Sequence, residues 1–183
     1  DKNADYIYVD VGGGSTEISL IHQGILRSSR SYNIGTVRLL KGKVVPSVYN
    51  RLKRDLNKLR EQYPVITIIG GNINKLFRLA KLPAKNKMTL PVEKLVQLNN
   101  TLKNYSLEER ARLYNLKPDR ADVITNAADI FLLVAEHTQA KHIVVPTIGL
   151  VDGIIDSLYL QHHKTPEEQI PLPPTGDENT QSL

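Results

Sequence analysis

Three consecutive glycines stand near the start of the chain, in the run Asp10-Val11-Gly12-Gly13-Gly14-Ser15-Thr16-Glu17. β-Branched and aromatic residues on both sides, at positions 6–11 and 16–21, predict two strands joined by this turn. Glycine adopts positive φ easily and places no side chain over the backbone, so an incoming group can approach the amides closely. Consecutive amides in such a turn can form a nest for a phosphate oxygen. The run therefore predicts an anion-binding hairpin, and the alternative is a plain glycine-rich hairpin.

Two carboxylates flank this turn. Asp10 ends the incoming strand and Glu17 lies on the outgoing strand, so both side chains can stand near the mouth of the turn. Carboxylates beside a bound phosphate suggest Mg²⁺, which prefers oxygen ligands and usually bridges to phosphate. The spacings of a Walker loop and of a dinucleotide-binding loop are both absent from this run, which excludes those two glycine motifs.

Hydrophobic periodicity outward from the turn predicts the remaining elements. Strands are expected at residues 24–32, 65–69 and 142–145, and helices at residues 47–62, 72–82, 91–103, 118–139 and 150–160, with a capping box from Ser106 to Glu109 that opens a further helix. The segment at 65–69 is apolar throughout, as in a strand buried on both faces, and Gly70-Gly71 ends it. This order predicts an α/β domain whose mixed sheet carries helices on both faces.

Length and composition agree with one soluble globular domain. The chain has 183 residues, 40% of them hydrophobic and none of them cysteine, which excludes a disulfide scaffold and a thiolate metal site. No long apolar run or secretory signal is present, so we expect a cytoplasmic protein with no membrane partner. The chain begins at Asp1 and its single methionine is internal, so we interpret it as a fragment of a longer protein. Residues 164–183 are rich in proline and polar residues, and we expect a disordered or loosely docked tail there.

The basic charge is concentrated in one third of the chain. The formal net charge is +5, but residues 22–87 contain 15 Lys and Arg against two acidic residues. Part of this block, residues 51–60, has leucines at helical spacing, which is typical of an amphipathic helix with a solvated basic face. The alternative is direct binding of a polyanion. Nucleic acid is not expected, because the block has few aromatic side chains to stack on bases.

The run from Asp10 to Glu17 resembles the second phosphate-binding loop of the exopolyphosphatase and guanosine pentaphosphate phosphatase family, which reads D-[IV]-G-G-G-S-T-E. Further similar segments follow in the same order, at Gly35-Thr36-Val37-Arg38-Leu39, at Gly70-Gly71, at residues 107–110 and 116–124, and at Gly149-Leu150 with Gly153. The resemblance covers residues 5 to about 160. It implies the ribonuclease-H-like fold shared by actin, sugar kinases and Hsp70. Residues 1–163 would form the second of two such domains.

The resemblance also implies roles for individual residues. Gly12, Gly13, Gly14 and Ser15 would hold the reacting phosphate. Arg38 would lie on the substrate channel, with an ordinary surface ion pair as the alternative. For Gly70 and Gly71 the alternatives are contact with the phosphates and simple tight packing. Asp10 and Glu17 would be catalytic and would position Mg²⁺ and the attacking water. The substrate would be inorganic polyphosphate or guanosine pentaphosphate. The general base would lie in the missing N-terminal domain, so we expect the isolated fragment to be almost inactive; a homodimer is a further expectation.

Two alternative functions stay open at this point. An actin-like ATPase or a sugar kinase would use the same fold, with an adenine site after Gly70-Gly71. A non-catalytic polyanion-binding module would use the basic block without hydrolysis. Arg120 and Asp122, which stand near the start of a predicted helix, are interpreted as structural caps or as partners in interdomain ion pairs.

Overall fold

The structure is a computed structural model that describes residues 5–60, 62–63, 65–83 and 88–146. The helix expected at residues 150–160 and the tail expected at residues 164–183 lie outside the described residues. Six strands are present in this part of the chain: β1 Tyr6–Val11, β2 Thr16–His22, β3 Ile25–Tyr32, β4 Val65–Ile69, β5 Thr89–Pro91 and β6 His142–Val144. Six helices accompany them: α1 Thr36–Leu40, α2 Pro46–Lys58, α3 Gly71–Leu79, α4 Val92–Lys103, α5 Leu107–Leu113 and α6 Pro118–Thr138.

The strands form one mixed sheet in the order β3-β2-β1-β4-β6-β5. Strands β1, β2 and β3 are antiparallel neighbours, whereas β1, β4 and β6 run parallel to one another and β5 returns antiparallel to β6. The predicted mixed sheet is therefore confirmed. Because the carboxyl ends of parallel strands meet at one edge, the turn after β1 and the turn after β4 are brought side by side.

Strand β4 lies inside the sheet, as its apolar sequence predicted. Ile66, Thr67 and Ile68 are all buried, so side chains on both faces of the strand are covered. An uninterrupted run of β-branched residues suits this position because both faces are removed from water. The burial of β4 fixes the place where its carboxyl end meets β1.

Helix α6 is the helix on which the other helices pack. It contacts α1, α2, α3, α4 and α5. Its apolar face contains Ala127, Ile130, Phe131 and Val134, which are buried, and Val123, which is half-buried. Its burial extends to small residues such as Ala121 and Ala128, which let neighbouring helices approach closely. The start of α6 thereby lies among helices that also reach the carboxyl edge of the sheet.

Two short elements were not predicted from the sequence. Helix α1 has only five residues and no side chain caps its N-terminus, so it lacks the usual signals of a helix start. Strand β5 has three residues and ends at Pro91, which was expected in the first turn of a helix. Pro91 instead stands at the N-cap of α4, with extended backbone.

The predicted amphipathic helix over the basic block is confirmed as α2. Leu52 and Leu56 are buried, whereas most of its basic residues are exposed. Asp55 on this helix accepts hydrogen bonds from Arg30 Nη1 at 2.7 Å and from Tyr32 Oη at 2.9 Å, which joins α2 to β3. Among the described residues, no helix combines the length and the apolar character needed to cross a membrane.

Candidate functional site

The glycine turn between β1 and β2 is held from behind by helix α1. The Gly12 carbonyl accepts a hydrogen bond from the Thr36 N–H at 3.0 Å. The Gly13 carbonyl accepts two, from the N–H groups of Val37 and Arg38, each at 3.0 Å. The first turn of a helix has N–H groups without helical acceptors, and here the carbonyls of the glycine turn satisfy them. Helix α1 therefore fixes the peptide orientations in the turn.

The same arrangement leaves the amides of the turn available. The Gly14 carbonyl accepts a hydrogen bond from Arg38 Nε at 2.8 Å, and the Gly12 N–H donates to the Ser15 carbonyl at 2.9 Å. Within the described residues, the N–H groups of Gly13, Gly14 and Ser15 have no acceptor. Gly12, Gly13 and Gly14 are exposed and Ser15 is half-buried. Gly12, Gly13 and Gly14 do not have positive φ, so the turn does not use the conformation for which glycine was expected. Its three successive N–H groups nevertheless stand at a solvent-accessible turn, where they can donate to an anion.

Gly35 is the contact point between α1 and the turn. A β-carbon built at Gly35 would lie 2.5 Å from the carbonyl carbon and oxygen of Gly13 and from the carbonyl carbon of Gly14. Backbone atoms cannot move aside as the end of a flexible side chain can. The glycine at this position is thus required by the close approach of two backbone segments.

We expect Gly35→Ala to displace the glycine turn. The added methyl group should lower the free energy of unfolding by about 1–3 kcal/mol, the range for overpacked sites. It should also weaken the binding of inorganic tripolyphosphate about tenfold, because loss of one hydrogen bond to a charged group is worth about 1.5 kcal/mol or more. Urea denaturation and isothermal titration calorimetry would measure the two effects.

Gly42→Ala provides the control for that substitution. Gly42 has a φ of +62°, so alanine there is strained, but no atom of the described residues lies within 4 Å of its added β-carbon. This variant should lose stability, by about 1 kcal/mol, and keep the affinity of the native protein. Equal affinity losses in the two variants would contradict a specific role for Gly35 in placing the turn.

The two predicted carboxylates are neighbours across the hairpin. Asp10 and Glu17 are directly paired residues of β1 and β2, so their side chains project from the same face, and both residues are exposed. Although the Asp10 residue is exposed, neighbouring atoms remove part of its carboxylate from water, and this desolvation is the main cause that raises its pKa. The negative charge of Glu17 raises the pKa further, against a smaller lowering by the Val11 N–H. The strand pairing places the two carboxylates close together. A cation between them would relieve their repulsion.

The second predicted turn stands beside Asp10. Gly70 has a φ of +116°, a conformation that favours glycine, and its added β-carbon would lie 3.9 Å from Asp10 Oδ1. Helix α3 begins at Gly71, with no side chain capping its N-terminus. The hydrogen bond from the Asn74 N–H to the Gly70 carbonyl, at 3.2 Å, opens the helix. The amides before Asn74 therefore have no acceptor within the helix and lie at its positive end, next to a catalytic candidate.

Arg120 is a candidate site residue that the sequence did not identify as one. A β-carbon built at Gly71 would lie 2.9 Å from Nη2 of Arg120, so the guanidinium rests against the start of α3. Arg120 is half-buried, and within the described part of the chain its side chain has neither a hydrogen-bond acceptor nor a carboxylate partner. It does not cap α6, whose N-cap is Lys117 and has no side-chain hydrogen bond. Arg120 and Gly71 are about fifty residues apart in the sequence, so no short sequence pattern could have predicted this contact.

The structure thus places the predicted site residues at one edge of the sheet. Asp10 lies beside both Glu17 and Gly70, while Arg38 lies against Gly14. Within the described ranges, no group of three or more His, Cys, Asp or Glu side chains is placed to enclose a metal ion. The arrangement offers backbone donors, arginines and one carboxylate pair, which can hold a phosphate group together with a divalent cation.

Comparison with known proteins identifies relatives of the chain. Its sequence matches the model of the Ppx/GppA phosphatase family over residues 1–162. The structure is similar to that of the Aquifex aeolicus Ppx/GppA phosphatase, with a TM-score of 0.68 and 25% identity, over 85% of this chain and 57% of the relative. It is also similar to an exopolyphosphatase from Cytophaga hutchinsonii, with a TM-score of 0.66 and 17% identity, over 87% of this chain and 58% of the relative.

These similarities agree with the predicted ribonuclease-H-like, actin-like fold. The chain spans less than two thirds of the length of these solved relatives. A search of curated proteins finds no match.

Proposed function

Because this chain belongs to the Ppx/GppA phosphatase family, we propose that it holds the terminal phosphate in a hydrolase of phosphoanhydride bonds. The substrate that we propose is inorganic polyphosphate or guanosine pentaphosphate. One observation carries the proposal: helix α1 binds the carbonyls of the glycine turn, and the N–H groups of residues 13–15, beside the carboxylate pair, have no acceptor in the part of the chain that the structure describes. That arrangement suits an anionic group held together with a cation.

The chemistry of phosphoryl transfer fits these parts. Catalysis of this reaction depends on in-line positioning and on stabilisation of charge at the phosphoryl oxygens. The amides at the turn donate to those oxygens from fixed positions. Arg38 can add charge from the side of Gly14, and Arg120 can add charge from the side of Gly71. In this proposal the two arginines neutralise different parts of one phosphate chain.

The carboxylate pair suits a Mg²⁺ ion that is held jointly by the protein and by the phosphates of the substrate. Mg²⁺ is commonly held by one or two carboxylates together with substrate phosphates and retained waters. Asp10 and Glu17 supply those two carboxylates, and the repulsion that raises the pKa of Asp10 would be relieved by a divalent cation. When bound, such an ion neutralises charge on the phosphate and orients water. The role of this chain is to present the two carboxylates on one face at a fixed separation.

We further propose that the chain is the second of two domains. The relatives extend well beyond the region that this chain matches. In the proposed assignment, Asp10 and Glu17 hold the ion and the attacking water, so neither is free to serve as an independent general base. The other domain would supply that base, as the family resemblance implies.

Binding of tripolyphosphate to this chain tests the proposal directly. The titration would be followed by backbone amide NMR in the presence of Mg²⁺. Large shifts are expected at residues 13–15 and at the start of α3, because these amides have no acceptor among the described residues. Arg38→Gln should weaken binding severalfold, whereas Arg112→Gln, a matched change at an exposed arginine on α5, should not.

Two other outcomes would contradict the proposal. Shifts spread over the basic face of α2 would indicate a general polyanion-binding module without a phosphate site at the turn. ATP could also bind more tightly than tripolyphosphate and shift the amide signals of residues after Gly70-Gly71, where an adenine ring would lie. That result would indicate a nucleotide-using enzyme instead.

A further inference from the structure

A serine on β3 lies in line with the two carboxylates. Strand β2 lies between β1 and β3, and Glu17 is paired with Asp10 on one side and with Ser31 on the other. Directly opposite residues of antiparallel strands project from the same face, with β-carbons about 4.5–5.5 Å apart. The three side chains therefore form one row across the sheet, with Glu17 in the middle.

A second pair on the same face shows that a β3 serine can reach its neighbour on β2. Ser19 and Ser29 are paired in the same register, two residues further from the turn, and their hydroxyl oxygens lie 2.9 Å apart. The register of β2 and β3 is regular from this pair to Ser31, because the irregularity lies at Leu20/Ile21. The same pairing places the Ser31 hydroxyl beside the Glu17 side chain, whose rotatable bonds allow its carboxylate to turn toward Ser31.

Ser31 is also free to act in this way. It is exposed, and within the described residues its hydroxyl makes no hydrogen bond. An ionised carboxylate only accepts hydrogen bonds, and a serine hydroxyl can rotate to donate one. The charge of Asp10 repels the Glu17 carboxylate, so an uncharged donor on the opposite side can hold one oxygen of Glu17 while the other faces Asp10.

We propose that Ser31 is a positioning residue, which donates a hydrogen bond to Glu17 and orients its carboxylate toward a divalent cation. This inference rests on the proposed function, since it assigns Ser31 to the same cation and phosphate site. The structure motivates it through the row Asp10–Glu17–Ser31 and through the bonded serine pair beside that row.

Manganese binding to this chain tests the role of Ser31. Mn²⁺ alone would be titrated and followed by paramagnetic broadening of the amide NMR signals of residues 13–15. Ser31→Ala should weaken Mn²⁺ binding about three- to tenfold, the range expected for loss of one net hydrogen bond. Ser31→Thr retains the hydroxyl and suits a strand, so it should restore the affinity.

Ser28→Ala is the matched control. Ser28 is exposed on the same strand but lies opposite Leu20, so it projects from the other face of the sheet. This variant should bind Mn²⁺ as the native protein does. A threonine variant that binds as weakly as the alanine variant would show that the hydroxyl is not the responsible group.

The failure of this inference can be distinguished from the failure of the proposed function. If Glu17→Ala leaves the Mn²⁺ response unchanged, the carboxylate pair does not hold the ion. The Mg²⁺ part of the proposed function and the role of Ser31 would then both be wrong, whereas the phosphate site at the turn is tested separately by tripolyphosphate binding. If Glu17→Ala weakens binding while Ser31→Ala matches the native protein, only the role of Ser31 is overturned.

Discussion

Glu17→Ala should reduce phosphate release by the proposed two-domain protein on the order of 10²-fold or more, the scale expected when a positioned acid–base or metal-binding group is lost. Glu17 faces Asp10 across the hairpin, so its removal leaves a single carboxylate at the mouth of the turn. One carboxylate can still attract Mg²⁺ but cannot fix its position. Steady-state phosphate release from long-chain polyphosphate, measured at saturating Mg²⁺, would give the change in kcat.

Two further variants separate the charge of Glu17 from other effects. Glu17→Gln keeps the size of the side chain and removes its charge, so it should be nearly as impaired as Glu17→Ala. Glu136→Ala removes an exposed carboxylate from α6, far along the chain from the turn, and should retain native activity. A native rate for Glu17→Ala would remove Glu17 from the catalytic machinery.

The elements that were predicted correctly carry their signals in adjacent residues. The apolar run of β4 and the β-branched and aromatic residues of β1 are patterns within one strand. The capping box at Ser106 and Glu109 is formed as predicted, with the serine hydroxyl accepting from the Glu109 N–H and the glutamate accepting from the Ser106 N–H. Such interactions span three or four residues, so the sequence alone can reveal them.

The elements that were missed depend on tertiary contacts. Helix α1 is too short to show periodicity, and its N-terminal N–H groups are satisfied by carbonyls of the glycine turn rather than by a capping side chain. Strand β5 is held by pairing with β6, a partner about fifty residues away. Neither stabilising contact lies within the segment that forms the element, so local patterns could not predict it.

The candidate site divides in the same way. The glycines and carboxylates of the run from Asp10 to Glu17 were predicted because one short motif contains them. The contact of Gly35 with the back of that turn and the contact of Arg120 with Gly71 join distant segments. Arg120 was interpreted as a cap or an interdomain partner, and the sequence alone could not show that α6 begins beside α3. The chemically active residues were therefore visible in the sequence, whereas the contacts that hold them in place became visible only in the structure.

This chain by itself should hydrolyse long-chain polyphosphate at no more than a small fraction of the rate of the two-domain protein. In the proposed function, the described residues supply a turn for the phosphate and a pair of carboxylates for an ion, and the general base that the family resemblance implies would lie in the other domain. Without proton transfer to a general base, the reaction rate should be lower by a factor of about 10²–10⁴. Phosphate release would be measured for both proteins at equal molar concentration with Mg²⁺.

Measurement of tripolyphosphate binding would distinguish two explanations for slow hydrolysis by this chain, a defective phosphate site and a missing catalytic group. If this chain binds tripolyphosphate through residues 13–15 yet turns over slowly, the turn is competent and the missing group is catalytic. Addition of the other domain as a separate chain should then restore part of the activity, with a dependence on its concentration that reflects their association. Equal rates for the single chain and the two-domain protein would show that Asp10 and Glu17 suffice for the chemistry, and the general base would have to be assigned to one of them.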